Sequence, residues 1–134
     1  MSLLQEFFNH PKHQGLVIPS KRVASRQNRS CGDECTMCIG ENPFKIGYIS
    51  EGCAVHMASS EMAAEVCGEL DILQALKLVR LVISGFDSDS HTNDPRIEAL
   101  YELRSYPVRR KCALLAWQTL CDVLEQECNE TAGQ

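Results

Sequence analysis

The apolar positions of the chain change period several times, and each change predicts an element. Leu3, Leu4, Phe7 and Phe8 share one face at helical spacing, so residues 2–9 predict a short helix with Ser2 as N-cap and Pro11 enforcing its end. Residues 33–39 alternate instead: Cys35, Met37 and Ile39 point one way, and Glu34, Thr36 and Cys38 the other, which is the period of a strand. Glu41-Asn42-Pro43 predicts a turn and residues 44–50 a second strand, together an antiparallel hairpin. Gly52 breaks that strand. Residues 53–66 carry Val55, Ala58, Met62 and Val66 as a helical stripe, with Gly68 at the C′ position. Residues 71–84 form another helix, lined on one face by Ile72, Leu73, Leu76, Val79 and Ile83 and ended by Gly85. A polar loop follows, then Asp94-Pro95 as N-cap and first residue of a short helix carrying Ile97, Leu100 and Tyr101, ending near Pro107. The last helix spans about residues 108–127, with Trp117, Leu120, Cys121, Leu124 and Cys128 as its apolar seam, and residues 129–134 predict a frayed end. Helix, strands, then mostly helices in chain order predict the α+β class, with a small antiparallel sheet of about three strands packed against a layer of helices.

Composition narrows the function classes. A length of 134 residues suits a single domain over residues 1–134, able to bury a core without disulfide staples. It is too short for a barrel of roughly 250 residues. A formal net charge of −5 argues against function by broad electrostatic attraction to nucleic acid or to a membrane surface. No apolar run approaches the ~20 residues of a membrane span. The first residues, Met1-Ser-Leu-Leu-Gln-Glu, carry no basic n-region, so the expected compartment is the cytoplasm. Residues 7–32 hold no acid but five bases, Lys12, Lys21, Arg22, Arg26 and Arg29. That segment reads as loop or edge strand, either simply solvated or a docking patch for an acidic partner.

Eight cysteines change the picture most. In a reducing compartment thiols are metal ligands, nucleophiles or small core residues. Cys35, Cys38, Cys67, Cys121 and Cys128 lie on or beside apolar faces and read as core, Cys38 least securely because it falls on the polar strand face. Cys31 lies in a turn before a strand, Cys53 opens a helix after Gly52, and Cys112 follows the basic run Arg109-Arg110-Lys111 near the start of the last helix. Helix N-termini and nearby cations both favour thiolate. Asp33, two residues after Cys31, adds a hard oxygen. Three thiols and a carboxylate suit Zn²⁺ or iron, although spacing alone leaves three unrelated thiols as an alternative. Cys31-x₃-Cys35-x₂-Cys38 also has the cluster-binding spacing of radical S-adenosylmethionine enzymes, but the chain is too short for their barrel and the alternation puts Cys35 and Cys38 on opposite strand faces. His10, His13 and His91 need no role, and His56 stands three residues after Cys53, as a capping or solvated residue or an approach to the site.

Several of these segments carry a resemblance. Asn28-Arg-Ser-Cys31-Gly32-Asp33 resembles the Asn-Pro-x-Cys-Gly-Asp motif of the NifU/IscU/SufU family of iron–sulfur cluster assembly scaffolds. Gly52-Cys53 with Val55 and Ala58-Ser59-Ser60 is similar to that family's Gly-Cys-x-Ile-x-x-Ala-Ser-x-Ser helix start. Arg110-Lys111-Cys112-Ala113-Leu114-Leu115-Ala116-Trp117 resembles its third cysteine motif, and Asn9-His-Pro11-Lys-His-Gln-Gly15 its entry segment. The motifs occur in the family's order and span nearly the whole chain. The resemblance leans to the SufU-like branch: Lys111 stands where the IscU-like branch has His, and residues 85–107 and Trp117 suit SufU-like members. Arg29 replaces the motif Pro, Ser50 a Gly, and His56 the usual Ser; the hairpin is shorter, and the Leu-Pro-Pro-Val-Lys chaperone motif is absent.

The resemblance implies that Cys31, Asp33, Cys53 and Cys112 hold a nascent [2Fe–2S] cluster, iron or Zn²⁺. It further implies a scaffold that takes sulfur from a PLP-dependent cysteine desulfurase, on Cys112 or Cys53, and passes the cluster to recipient apo-proteins. Asp33 would be the weaker ligand that keeps the cluster transferable. A zinc-dependent sulfurtransferase that activates the desulfurase without building a cluster is the alternative, and a degenerate member acting only as an interaction protein is a third.

Overall fold

The computed structural model describes residues 2–40 and 44–132, with side chains through Glu130. Helix α1 (Leu3–Asn9) begins at Ser2, whose hydroxyl accepts the Gln5 N–H while the Gln5 side chain returns to the Ser2 N–H, a capping box. Its predicted apolar face is only partly used, since Phe8 is left 46% exposed. Three antiparallel strands follow, β1 (Arg22–Asn28), β2 (Asp33–Gly40) and β3 (Lys45–Glu51), in the order β1-β2-β3. The register pairs Asn28 with Asp33 at one end of the sheet and Glu34 with Glu51 beside it. The predicted turn at Glu41-Asn42-Pro43 lies outside the described residues.

Cys35, Met37 and Ile39 are buried as the alternation requires. Cys38, expected on a polar face, is buried as well. The reason is the segment after α1, which runs across the sheet. Val17 N–H donates to Cys38 Sγ at 3.2 Å, and Gly15 N–H to Tyr48 O at 2.7 Å, which also covers the free edge of β3. This segment is anchored by buried Glu61. One carboxylate oxygen accepts the Lys12 and His13 N–H groups at 2.9 Å each and the Tyr48 hydroxyl at 3.0 Å, and the other meets His13 Nδ1 at 2.5 Å. His13 therefore has a structural role that its loop position did not predict.

The remaining elements are helices α2 (Ala54–Gly68), α3 (Ile72–Gly85), α4 (Pro95–Tyr101) and α5 (Pro107–Ala132). Helix α2 packs on β3, and α5 packs on β1 and β2, on α2 and on α3. Helix α2 is buried almost all round, including His56, Ser59, Ser60 and Glu61. Gly68 is its last helical residue rather than C′, and Glu69 is the C-cap. Leu76 and Val79 are buried as expected, but Leu73, assigned to the same face of α3, is 70% exposed, and Ala75 and Val82 face the core as well. Helix α4 stops at Tyr101, whose hydroxyl donates to Val82 O at 3.1 Å. Helix α5 continues through the expected frayed residues to Ala132, and its buried seam is Ala113, Ala116, Trp117, Leu120, Val123, Leu124 and Glu127, with Cys121 and Cys128 only half-buried.

Part of the basic segment forms the edge strand β1, as one reading had it, and three of its five cations are tied to α5. Lys21 and Arg22 pair with buried Glu127, Arg22 also with Glu130, and Arg26 with Asp122, all on α5.

Candidate metal centre

The candidate site forms where one end of the sheet meets the starts of two helices. Strand β1 closes at Asn28, whose carbonyl accepts the N–H groups of Cys31 at 3.2 Å and Gly32 at 2.9 Å. Gly32 takes φ +73°, so the chain turns back at once into Asp33, the first residue of β2. Strand β3 ends opposite, at Glu51, and Gly52 delivers Cys53 as the N-cap of α2. The Cys53 N–H donates to Asp33 Oδ1 at 3.0 Å, and Cys53 Sγ lies 4.0 Å from Asp33 Oδ2. Cys112 enters from the second turn of α5. Its thiol faces Asp33 and Cys31. The ligand atoms of Cys31, Asp33 and Cys112 lie within 4.8 Å of one another. Cys31, Asp33 and Cys112 thus come together, and Cys53 reaches them through its contacts with Asp33, although 59 positions separate Cys53 from Cys112.

Exposure divides them. Cys53 is exposed, Cys31 half-buried, Cys112 buried and Asp33 fully buried. Asp33 has no ion pair among the described residues. A buried carboxylate surrounded by thiols, without a cation, is costly as a purely structural feature. Soft sulfur donors with one hard oxygen fit Zn²⁺ or an iron site. The cations that precede Cys112 do not act as expected. Burial, followed by the neighbouring Asp33 and Cys53 groups, pushes the Cys112 thiol well above its ordinary range. Arg110 is engaged by Phe86 O and Asp87, and the Arg109 guanidinium sits 5.5 Å from the Tyr106 ring centroid.

His56 is fully buried behind Cys53. Its N–H donates to Cys53 Sγ at 3.5 Å and its Nε2 meets Glu34 O at 2.8 Å, while Nδ1 has no partner. It supports the turn rather than joining the clustered ligand atoms. Two further supports were not legible as such. Ser59 donates to the carbonyl of Ala113, the residue after Cys112, at 2.6 Å and accepts the Trp117 indole N–H at 3.0 Å. Ser50, which stands where the resemblance expected Gly, contacts Cys35 Sγ at 3.5 Å and Ser60 Oγ at 2.7 Å. The small hydroxyl residues 59–60 of the helix-start motif were the available signal. Cys35 and Cys38 are buried separately from Cys31, so the three do not form one site.

A three-stranded antiparallel sheet packed against helices, with thiols and a carboxylate gathered at one end, defines an α+β protein with a candidate metal site. Residues 2–126 match the family model described as NifU-like N terminal domain, and the chain belongs to that family. Among curated proteins it is 27% identical over 124 residues to the zinc-dependent sulfurtransferase SufU of Bacillus subtilis, covering 88% of this chain and 84% of that one. It is 26% identical over 132 residues to the iron–sulfur cluster assembly scaffold protein IscU of Thermotoga maritima, covering 90% and 89%. A crystal structure of a putative SUF-system scaffold from Fervidobacterium islandicum superposes with a TM-score of 0.78 at 24% identity over 92% of this chain and 95% of that one. An N-terminal NifU-like protein from Brucella abortus gives 0.74 at 19% identity, over 94% and 92%. These likenesses bear out the α+β expectation. No helix among the described residues is long and apolar enough to cross a membrane.

Proposed function

We propose that the chain is an iron–sulfur assembly scaffold in which Cys31, Asp33, Cys53 and Cys112 hold the metal and sulfide of a nascent [2Fe–2S] unit. The observation that carries this reading is the buried Asp33 carboxylate, unpaired by any cation among the described residues, with the ligand atoms of Cys31 and Cys112 within 4.8 Å. Sulfur would come from a PLP-dependent cysteine desulfurase carrying a persulfide. The Cys53 thiolate attacks the outer sulfur, a new S–S bond forms on Cys53, the old one breaks, and the desulfurase thiolate leaves. Exposure favours Cys53 over Cys112 for this step. Reduction to sulfide then takes two electrons per sulfur from an external reductant, and ferrous iron completes the unit for transfer to recipient apo-proteins. The oxygen ligand Asp33 keeps the holding weaker than a fourth thiolate would.

A second reading has its own support in the likeness to the Bacillus subtilis sulfurtransferase. There Zn²⁺ occupies the same four residues, and the chain accepts persulfide without building a cluster. Anaerobic incubation with ferrous iron, cysteine and a desulfurase separates the two. The scaffold reading expects visible charge-transfer absorption that disappears in the Cys31, Cys53, Cys112→Ala triple variant. Stoichiometric, tightly held zinc with no such absorption, together with faster desulfurase turnover, supports the sulfurtransferase instead. Unchanged activity of the triple variant in cells overturns both.

A further inference from the structure

A cavity of about 540 Å³ lies between the end of β1 and the first half of α5. Arg26, Gln27 and Asn28 line it from the strand, and Lys111, Leu115 and Gln118 from the helix. Its volume falls in the range of small-molecule sites. No acidic residue lines it, in a chain whose formal net charge is −5. Arg26 is held in place by two N–H bonds to Asp122, at 2.7 and 3.1 Å. Lys111 has no ion pair among the described residues, so it supplies the uncompensated positive charge. Asn28 adds a second unmet demand: its Oδ1 accepts from Ser30 at 2.8 Å, while its Nδ2 is buried without an acceptor. Buried donors of this kind are uncommon and call for an oxygen nearby. Leu115 gives the cavity an apolar wall.

We propose that this cavity binds a small organic carboxylate of amino-acid size. The carboxylate pairs with Lys111, a slight turn of the Asn28 amide brings its N–H onto an oxygen, and the organic remainder lies against Leu115. The placement gives such a ligand leverage on the metal centre. Asn28 O holds the turn that presents Cys31, and Lys111 is bonded directly to Cys112. Binding itself does not depend on which metal reading is correct. The same chemistry has two sources, a thiol-bearing carboxylate and a sulfur-free one.

The test uses the isotope-labelled full chain titrated with N-acetylcysteine and, separately, with N-acetylalanine, followed by nuclear magnetic resonance. The proposal expects both compounds to move the side-chain amide signals of Gln27, Asn28 and Gln118 saturably, in the low-millimolar range. It expects Lys111→Glu, and independently Gln118→Glu, to weaken both at least tenfold while backbone signals elsewhere stay in place. A tenfold preference for the thiol compound that persists with Lys111-dependence identifies the thiol-bearing class; equal affinities identify the plain carboxylate. No saturation by either compound overturns the proposal. So does binding of the thiol compound alone, which would report sulfur at the cysteines, and so does affinity unchanged in both variants.

Discussion

At Gly52 the chain passes from β3 into α2 with φ +145°, a conformation that side chains with a Cβ rarely take. A Cβ there would overlap Asp33 Oδ1 and stand 2.9 Å from Asp33 Cγ. The glycine thus makes room for the carboxylate that the Cys53 N–H then fixes. Gly52→Ala is expected to cost about 1–3 kcal/mol of stability through backbone strain. If the proposed site holds Zn²⁺, it should also weaken zinc binding at least tenfold, because Asp33 is displaced from Cys31 and Cys112. Gly68→Ala is the control: it meets nothing within 4 Å at the end of α2, so stability should hold or rise by about 0.4–1 kcal/mol. Thermal denaturation and competition against a chelator measure the two effects. At this scale the sequence made the candidate ligands legible, since thiols at element boundaries are chemically distinctive. It did not make Gly52 legible beyond a strand break, because its partner Asp33 lies 19 positions away and only the sheet register brings them together. For the same reason Glu61 could not be matched with His13 and Tyr48.

Elements were legible where one face alone is buried. The inward face of β2, Cys35, Met37 and Ile39, is buried as read, and α4 is capped at Asp94 ahead of Pro95. Period fails where an element is covered on several sides, as in α2, and where a passing segment covers a polar-looking face, as Val17 does over Cys38. Helices α2 and α5 are joined by a contact that no period announces, the Ser59 bridge between Ala113 O and the Trp117 indole. Cys112 sits one residue before the bridged carbonyl, so the bridge fixes how far its thiol advances toward Asp33. Ser59→Ala leaves the buried Trp117 N–H without an acceptor, which costs about 1–3 kcal/mol. Trp117 is the sole tryptophan, so denaturant unfolding followed by its emission measures that loss directly. The folded-state emission should also shift, and zinc affinity should fall. Unchanged affinity with the stability loss present would limit Ser59 to packing.

Across the whole molecule, the sheet is tied to its longest helix by charge as well as by apolar burial. Glu127 is 4% exposed, and Lys21 at 2.7 Å and Arg22 at 3.0 Å reach it from the residue before the edge strand and from the strand's start. Their hydrogen bonds, Lys21's first, hold the Glu127 carboxyl below its ordinary value of 4.5 despite burial, which acts the other way. The sign of the consequence follows. A carboxyl depressed in the folded state contributes stability that is fully present above its unfolded pKa, near 4.5, and is lost as the pH falls below it. The wild-type chain should therefore lose stability on acidification below pH 4.5 more steeply than Glu127→Gln. At neutral pH the variant should be weaker by about 1–3 kcal/mol, the range for hydrogen bonds to a charged group and for leaving its partners unsatisfied. Denaturant unfolding at pH 7 and at intervals below 4.5 measures this, and the two stabilities should converge as the wild-type carboxyl protonates. The candidate metal centre stands at the far end of the same strand–helix pair, since β1 runs from Arg22 to Asn28 and α5 carries Cys112 near its start. Parallel curves for the two proteins would mean that Glu127 packs without acting through its charge.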